Sequence, residues 1–529
     1  MKKRFNIKPV QLFALIVVLF TSFSCKDSFF DAQNDERITP DQHYKSIIDV
    51  LTSLNGAIIP LQEVMPKYIM IDGLRSDQMI VTPNAEPFLV DINNQVLSLD
   101  NPYLDASDYY KVIINCNEAY ANFDKVTQID RNYNEFYLKY TKAALVSLRN
   151  WTYLQLVRIY GQAALIDDNL TGIPANLEQN ILSKDVMIDT LINQLIPTIP
   201  TEEQLTQMPE LWLDYYMNGK AVLGELYLEK GDYANAVKYL KLAAESYTNN
   251  ASIYKLDSYT MDAWRSIFMN AESQITENIS VIPYDHQEGQ FNPLAKWLLP
   301  TDQFMVKPSQ LLVDSFKTQV PAVGPLGDVY RAFGLVNSDG VASGATLDST
   351  ASGEVYINKY SINKNEPFSS DIVISRAADV HLLLAEALNR NGDSKSALVL
   401  LNAGFKSEKP IPAAYTRWNR NLGVRGRAYL KNKVVPDSLT VINGTDTTKV
   451  VFEGQERLEY IEDLIMDERA LELAFEGRRW FDLMRIANRR SNPAYLADKV
   501  AAKFTDQGQR EAVRSKLMNP ENWYIPFKK

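Results

Sequence analysis

The stretch Met466-Asp-Glu-Arg-Ala-Leu-Glu-Leu-Ala-Phe-Glu-Gly-Arg-Arg-Trp-Phe-Asp-Leu-Met-Arg485 combines acids and arginines with an apolar, helix-forming pattern. A helical period places Glu468 on one face with three apolar residues, Leu464, Leu471 and Phe475. Burial of an isolated carboxylate is costly, so this acid must be protonated or paired with a cation. Four arginines nearby in sequence are the candidate partners: Arg469, Arg478, Arg479 and Arg485.

Glu468 therefore has two interpretations, a catalytic acid or a structural ion pair that fixes its helix against neighbouring helices. No nucleophile or second acid stands at helical spacing beside a histidine. The chain also contains no G-x-S-x-G, H-E-x-x-H or P-loop pattern. The structural interpretation is favoured, and no enzymatic activity is predicted.

Two segments upstream of this stretch repeat one helix–turn–helix pattern. The positions Glu225, Gly231-Asp232 and Ala236 recur with the same spacing as Glu386, Gly392-Asp393 and Ala397. Glycine can adopt the positive φ that ends a helix, and aspartate suits the N-cap of the next helix. Each segment therefore predicts a pair of antiparallel helices similar to a tetratricopeptide repeat, although any αα-hairpin uses related caps.

The remaining pattern predicts further helix and one hairpin. Residues 136–166 follow a helical period that ends at Gly161, and helix resumes at about Ile461. The segment from Leu439 to Phe452 predicts a β-hairpin closed by Asn443-Gly444.

A long loop-rich region lies between the helical parts. Residues 250–375 are rich in Asn, Ser, Thr, Gly and Pro, with interleaved aromatic residues, which favours irregular loops and short hairpins. No low-complexity linker divides the chain. We therefore expect one mainly α domain over residues 25–529 with a loop-rich insertion at about 250–375.

The N-terminus predicts export. A basic start from Lys2 to Lys8 precedes an apolar run that is shorter than the roughly 20 residues needed to span a bilayer. Cys25 follows this run directly and resembles the first residue after a bacterial lipoprotein cleavage site. Residues 1–24 are therefore predicted to be a lipoprotein signal peptide and Cys25 the lipid-attachment residue, with an ordinary signal peptide as the alternative. No later segment is predicted to span a membrane.

The composition excludes several classes of protein. The chain has 529 residues, a net charge of −10, three histidines and two cysteines. A Cys-based zinc site needs more thiols, and a His-based metal centre would need nearly every histidine. An acidic chain without a basic run does not favour nucleic-acid binding. After cleavage Cys116 has no cysteine partner, and it is predicted to be a buried apolar side chain.

No cofactor and no metal site is predicted. The chain has no EF-hand calcium loop, although an irregular calcium site would leave little trace in a sequence.

The quoted stretch closely resembles the closing signature of the SusD/RagB family of nutrient-binding outer-membrane lipoproteins. The signature positions are Glu468, Arg469, Glu472, Glu476, Arg479, Trp480, Asp482 and Arg485. The segment from Arg376 to Asn389, which contains Glu386, resembles the family's R-x-A-E…A-E-A helix, with Asp379 in place of the usual Glu. One departure is the extra segment between Asn402 and Val424, ahead of the family's Val-Arg-x-Arg element.

The resemblance implies a tetratricopeptide-like scaffold with a loop-rich face, short β-hairpins and a binding role. Family members are lipid-anchored to the outer membrane, face the cell exterior and cover a SusC-like TonB-dependent transporter that imports their ligand. We therefore expect a glycan-binding uptake protein. The alternatives are a RagB-type peptide-binding uptake protein, a tetratricopeptide-type envelope adaptor and, less readily, a surface glycosidase with paired carboxylates.

The same resemblance places the ligand contacts in loops of the N-terminal quarter and the middle of the chain. Aromatic rings can contact the weakly apolar face of a sugar, while Asn, Asp and Arg bind its hydroxyls. Eight residues are candidates by region and type: Arg75, Asp77, Tyr103, Trp264, Tyr284, Phe291, Asn292 and Trp297. Core packing is the alternative for each of them.

Overall fold

A computed structural model describes most of the chain. The described residues are 43–166, 180–199, 217–245, 247–248, 252–253, 256, 261–269, 277–301, 303–334, 346–363, 365–443 and 446–527. The predicted signal peptide and Cys25 lie outside these ranges.

Helices dominate the described residues, which confirms the predicted mainly α class. In chain order they are α1 (Ile47–Ile58), α2 (Leu61–Arg75), α3 (Pro87–Asn93), α4 (Ser107–Thr127), α5 (Glu135–Tyr160), α6 (Lys184–Leu195), α7 (Gly219–Lys230), α8 (Tyr233–Ala244), α9 (Met261–Met269), α10 (Leu294–Leu298), α11 (Gln310–Lys317), α12 (Ala377–Arg390), α13 (Ser394–Leu401), α14 (Val424–Arg427), α15 (Gly454–Glu472), α16 (Arg479–Arg489), α17 (Pro493–Ala501) and α18 (Gln507–Leu517). Short 3-10 turns, such as Pro102–Leu104, connect several of them.

The described strands are short and form antiparallel pairs. They are β1 (Met79–Val81), β2 (Gln162–Ala164), β3 (Ile181–Ser183), β4 (Tyr247–Thr248), β5 (Ser252–Ile253), β6 (Asn278–Ile282), β7 (Val306–Pro308), β8 (Leu347–Ser349), β9 (Val355–Ile357), β10 (Ile372–Arg376), β11 (Ser438–Asn443) and β12 (Asp446–Val451). The pairs are β1–β7, β2–β3, β4–β5, β6–β10, β8–β9 and β11–β12. The predicted hairpin is confirmed, because β11 and β12 pair in continuous register. Its turn residue Gly444 lies outside the described ranges.

Both predicted repeat units are helix pairs. Gly231 (φ 80°) ends the first helix of the pair α7–α8, and Gly392 (φ 91°) follows α12 in the pair α12–α13. The side chain of the next residue, Asp232 or Asp393, accepts a hydrogen bond from a backbone N–H in the first turn of the second helix. Helix α8 packs on α12, while α5 and α6 contact α7 and α15 contacts α12. The local caps therefore set the hairpins, and their apolar faces stack them into one helical array.

Helix α15 differs from the sequence prediction at both ends. It begins at Gly454, rather than at about Ile461, and ends at Glu472. The periodicity predicts that Phe475 shares a helical face with Glu468. This prediction is wrong, because Phe475 lies beyond the end of the helix.

Tertiary contacts cause this early stop. Phe475 has a positive φ of 66°. Its N–H donates to the side-chain oxygen of Gln78 at 3.0 Å, and its carbonyl accepts from the Tyr360 hydroxyl at 2.8 Å. Two side chains from other parts of the chain thus hold a backbone conformation that local helix propensity disfavours.

By length and composition alone, the stretch Ile47–Arg75 is long and apolar enough to cross a membrane. This stretch was not predicted from the sequence. It consists of helices α1 and α2, which are separated at Ile59-Pro60. Helix α1 buries four of its 12 residues and α2 buries twelve of its 15. Both helices therefore pack on the folded protein through their apolar faces.

Most buried apolar side chains form a single cluster that extends from Tyr44 to Ile525. A second, smaller cluster contains Trp264, Ile267, Phe268, Val281, Ile362 and Val373. The free thiol of Cys116 is buried in the large cluster, as predicted, and burial raises its pKa to about 12.

Candidate functional site

Five of the eight candidate ligand residues lie in the interior. They are Arg75, Asp77, Trp264, Tyr284 and Asn292. The other three, Tyr103, Phe291 and Trp297, keep accessible surface. Of the eight candidates, a ligand that approaches from solvent can therefore contact only Tyr103, Phe291 and Trp297 in this conformation.

The buried candidates near α2 hold the C-terminal helices in place. The Arg75 guanidinium lies 4.0 Å from the ring centroid of Trp480, and its Nη1 donates to the carbonyl of Trp523 at 2.8 Å. The Asp77 carboxylate accepts two hydrogen bonds from Arg479, at 2.8 and 2.7 Å. These contacts join the N-terminal quarter to the signature, which accounts for both side chains structurally.

The buried candidates of the middle region position loops. The Tyr284 hydroxyl donates to the carbonyl of Gln62 at 2.8 Å. The side-chain amide of Asn292 donates to the carbonyl of Ser370 at 2.6 Å, and its oxygen accepts from the N–H of Leu294 at the start of α10. These bonds tie the loop before α10 to α2 and to the loop before β10.

Tyr103 and Trp297 form a half-buried aromatic corner. Their ring centroids are 5.8 Å apart in an edge-to-face arrangement. The Asn101 side chain accepts from the N–H of Tyr103 and so fixes its 3-10 turn. Burial and a hydrogen bond from the Tyr103 hydroxyl to the Glu86 carboxylate raise the pKa of Tyr103 above its usual range. The corner therefore combines two rings with one carboxylate.

Phe291 is the centre of a second aromatic group and is 53% exposed. His286 lies edge-on to it at 4.3 Å, and Phe368 lies 5.5 Å away, measured between ring centroids. His286 and Phe368 were not predicted. Phe368 comes from a loop far along the chain, which the backbone bond from the Asn292 N–H to the Phe368 carbonyl brings beside Phe291.

The five residues Tyr103, His286, Phe291, Trp297 and Phe368 are called the aromatic surface below. Phe291 precedes α10 and Trp297 lies within it, so their Cα atoms are at most about 15 Å apart. Exposed rings beside hydroxyl-binding carboxylates and amides are the groups that a sugar ligand requires.

The signature does not line this surface and instead builds a buried ion-pair network. We define the network as five acids and five bases: Glu277, Asp328, Glu468, Glu472 and Glu476 with Arg331, Lys359, Arg376, Arg425 and Arg427. Arg331 contacts Asp328, Glu468 and Glu472 at 2.6–2.8 Å. Arg376 contacts Glu472 and Glu476 at 2.8 Å and Glu277 at 3.1 Å. Equal numbers of opposite charges thus compensate one another without solvent.

Glu468 has the structural role, but with other partners than the sequence predicts. It is paired with Arg331 and Arg425. Burial opposes ionisation of Glu468, yet these two guanidinium groups outweigh it and hold the pKa of the carboxyl below its usual value. A carboxyl that stays ionised cannot serve as a proton donor.

The four predicted partner arginines pair elsewhere. Arg469 contacts Asp379 and Asp482, Arg478 contacts Asp379, Arg479 contacts Asp77, and Arg485 contacts Glu386 and Asp482. These pairs join α16 to α12 and to the segment after α2.

Gly477 allows a close helix contact at the start of α16. It has a φ of 74°, and a β-carbon there would overlap the ring of Tyr68. Asp72, one helical turn further along α2, accepts from the N–H of Trp480 at 2.7 Å. Glycine is therefore needed both for the backbone conformation and for the approach of α2 to α16.

No group of three or more His, Cys, Asp or Glu side chains that could hold a metal ion occurs among the described residues. A cleft of about 460 Å³ lies between α11, α15 and α17 and is lined by aliphatic, polar and charged residues without an aromatic ring. The aromatic surface is thus the better candidate for sugar binding.

Comparisons with known proteins agree with this architecture. Residues 334–528 match the model of the SusD family. The chain is similar to SusD-like protein P38 of Formosa agariphila, with 22% identity over 92% of each chain.

Solved structures share the fold at low identity. A SusD superfamily protein from Bacteroides thetaiotaomicron superposes with a TM-score of 0.60 and 19% identity, covering 87% of this chain and 95% of the other. A laminarin-binding SusD-like protein superposes with a TM-score of 0.56 and 16% identity, covering 88% and 96%. The family-model match over residues 334–528, the relative at 22% identity and the solved structures together show that this chain is similar to SusD-like proteins and shares their fold.

Proposed function

We propose that the protein binds glycans at the aromatic surface, as a lipid-anchored component of an outer-membrane uptake system. The observation that carries the proposal is the group of exposed Phe291 and His286 with half-buried Phe368, a few residues along the chain from Trp297 of the Tyr103–Trp297 corner. The similarity to a laminarin-binding SusD-like protein supports a glycan as the ligand.

A binding role without catalysis fits the chemistry of the candidate acid Glu468. A glycosidase needs one carboxyl with a raised pKa to protonate the leaving group. The candidate acid Glu468 is enclosed by two arginines instead. Release of sugar from any glycan by the purified protein would contradict this part of the proposal.

The binding test is titration calorimetry with laminarin and other neutral polysaccharides, together with a peptide library. We expect Trp297→Ala and Phe291→Ala each to weaken glycan binding by about tenfold, or about 1.4 kcal/mol, because each removes a stacking ring. Tyr429→Ala is the matched control, since Tyr429 is 43% exposed, stacks on Tyr330 and is not part of the aromatic surface. Binding of peptides alone would favour the RagB-type alternative.

The anchor and the transporter partner are separate parts of the proposal. Cys25→Ser should abolish lipid labelling and release the protein from the outer membrane. A SusC-like TonB-dependent transporter should co-purify with the wild-type protein from detergent-solubilised outer membranes. Surface proteolysis of intact cells would test whether the protein faces the exterior.

A further inference from the structure

The segments that build the aromatic surface are acidic and poor in basic residues. Residues 82–105, 283–298 and 363–371 contain eight Asp or Glu and two Lys, a net charge of −6. The whole chain has 65 acids and 55 bases, so acids predominate far more in these segments than elsewhere.

The structure places several of these acids next to the rings. Asp285 and Glu288 are exposed in the same turn as His286, and Glu366 is exposed two residues before Phe368. The Gln287 side chain donates to Glu366 at 3.1 Å and so links the two loops.

The Tyr103–Trp297 corner carries one acid and one base. Glu86 is bonded to the Tyr103 hydroxyl. Lys296 is the one basic residue of these three segments within the described ranges, and Lys364 lies outside them. A bound polymer would therefore meet negative charge at the Phe291 end of the surface, where Asp285, Glu288 and Glu366 are exposed.

We propose that the aromatic surface selects neutral glycans and rejects polysaccharides that carry sulfate or carboxylate groups on the same backbone. An anionic polymer in contact with the rings would bring its charges within one Debye length, about 8–10 Å, of several carboxylates. Repulsion at such distances weakens binding of the anionic polymer. The surface thus becomes selective by repelling the anionic glycan, without any additional contact to the neutral one. This inference rests on the proposed glycan-binding function.

The test compares neutral polysaccharides with their own sulfated derivatives. Laminarin, starch, xyloglucan and galactomannan, each in neutral and sulfated form, and polygalacturonate are titrated against the wild-type protein at 20 and 300 mM salt. We expect the sulfated form of any bound glycan to bind about tenfold or more weakly at low salt. The difference should shrink at high salt, because ions screen the repulsion.

A charge-neutralised variant identifies the acids responsible. The variant Asp285→Asn/Glu288→Gln/Glu366→Gln removes three negative charges but keeps the size of the side chains. The ratio of the dissociation constant of the sulfated glycan to that of the neutral glycan should therefore fall toward one. The control Asp467→Asn/Glu453→Gln/Glu511→Gln removes three exposed acids outside the surface-forming segments and should keep the wild-type ratio.

The outcomes separate the two proposals. Equal or tighter binding of sulfated glycan or polygalacturonate overturns the selectivity while glycan binding stands. The selectivity also fails if the triple variant keeps the wild-type ratio. If no polysaccharide binds in either form, the glycan-binding function itself is refuted, and the selectivity falls with it.

Discussion

Replacement of Glu472 by glutamine should strongly destabilise the protein. Glu472 contacts Arg331 at 2.7 Å, Arg376 at 2.8 Å and also Arg427, and none of the four side chains is accessible to solvent beyond 1%. Glutamine keeps the size of the side chain but removes its charge and presents an NH₂ group to guanidinium donors. The network would then contain four acids against five bases.

The expected magnitude follows from the cost of an uncompensated buried charge. Loss of one partner of a buried ion pair costs about 3–5 kcal/mol. Unfolding entropy of about 2.1 cal/mol/K per residue amounts to about 1 kcal/mol/K for a chain of this length, so Tm should fall by about 3–5 °C. Differential scanning calorimetry and urea unfolding of the purified variant measure both quantities.

An exposed ion pair supplies the control. Asp498 contacts Arg514 at 2.6 Å, with about half of each side chain exposed. Asp498→Asn should therefore cost at most about 1 kcal/mol. If the Glu472 variant melts within experimental error of this control, the network does not stabilise the fold and the reasoning is refuted.

Three further predictions test single features of the fold. Gly477→Ala should lower Tm more than Gly289→Ala, because both glycines have positive φ but only Gly477 has a neighbour, Tyr68, in the way of a β-carbon; equal shifts would contradict this. Burial raises the pKa of Asp72 to about 7. Between about pH 4 and 7 Asp72 therefore stays protonated in the folded protein but ionises in the unfolded chain, so the free energy of unfolding falls as pH rises through this range. Between pH 5 and 8 the free energy of unfolding of Asp72→Asn, measured in urea, should rise by up to about 3 kcal/mol relative to that of the wild type. A difference that does not depend on pH would exclude a titrating Asp72. Cys116 should resist iodoacetamide in the native protein and react in urea, as read by mass spectrometry, whereas native labelling would show that the thiol is accessible.

Local features of the fold were readable in the sequence. The Gly-Asp turns predict the two helix pairs because a positive-φ glycine and an N-cap aspartate act within four residues of each other. The Asn-Gly hairpin rests on similarly local geometry. The start of α15 was missed, since the pattern gives no strong cap near Gly454.

The candidate site was predicted only in part. Tyr103, Phe291 and Trp297 were predicted by region and type and keep accessible surface, but residue type cannot separate a ring at the surface from one in the core, as Trp264 shows. Phe368 was missed because only a long-range backbone contact brings its loop beside Phe291.

The sequence by itself determined the helical class, the repeat units and the need for either a cation or a proton at Glu468, because these follow from short-range periodicity and from the cost of a buried charge. Only the tertiary structure decided which cations pair with Glu468. Arg331 and Arg425 lie 137 and 43 residues away in the chain, whereas the arginines adjacent in sequence pair with other acids. It also decided which aromatic rings reach solvent, since burial depends on how distant segments pack and not on spacing along one helix.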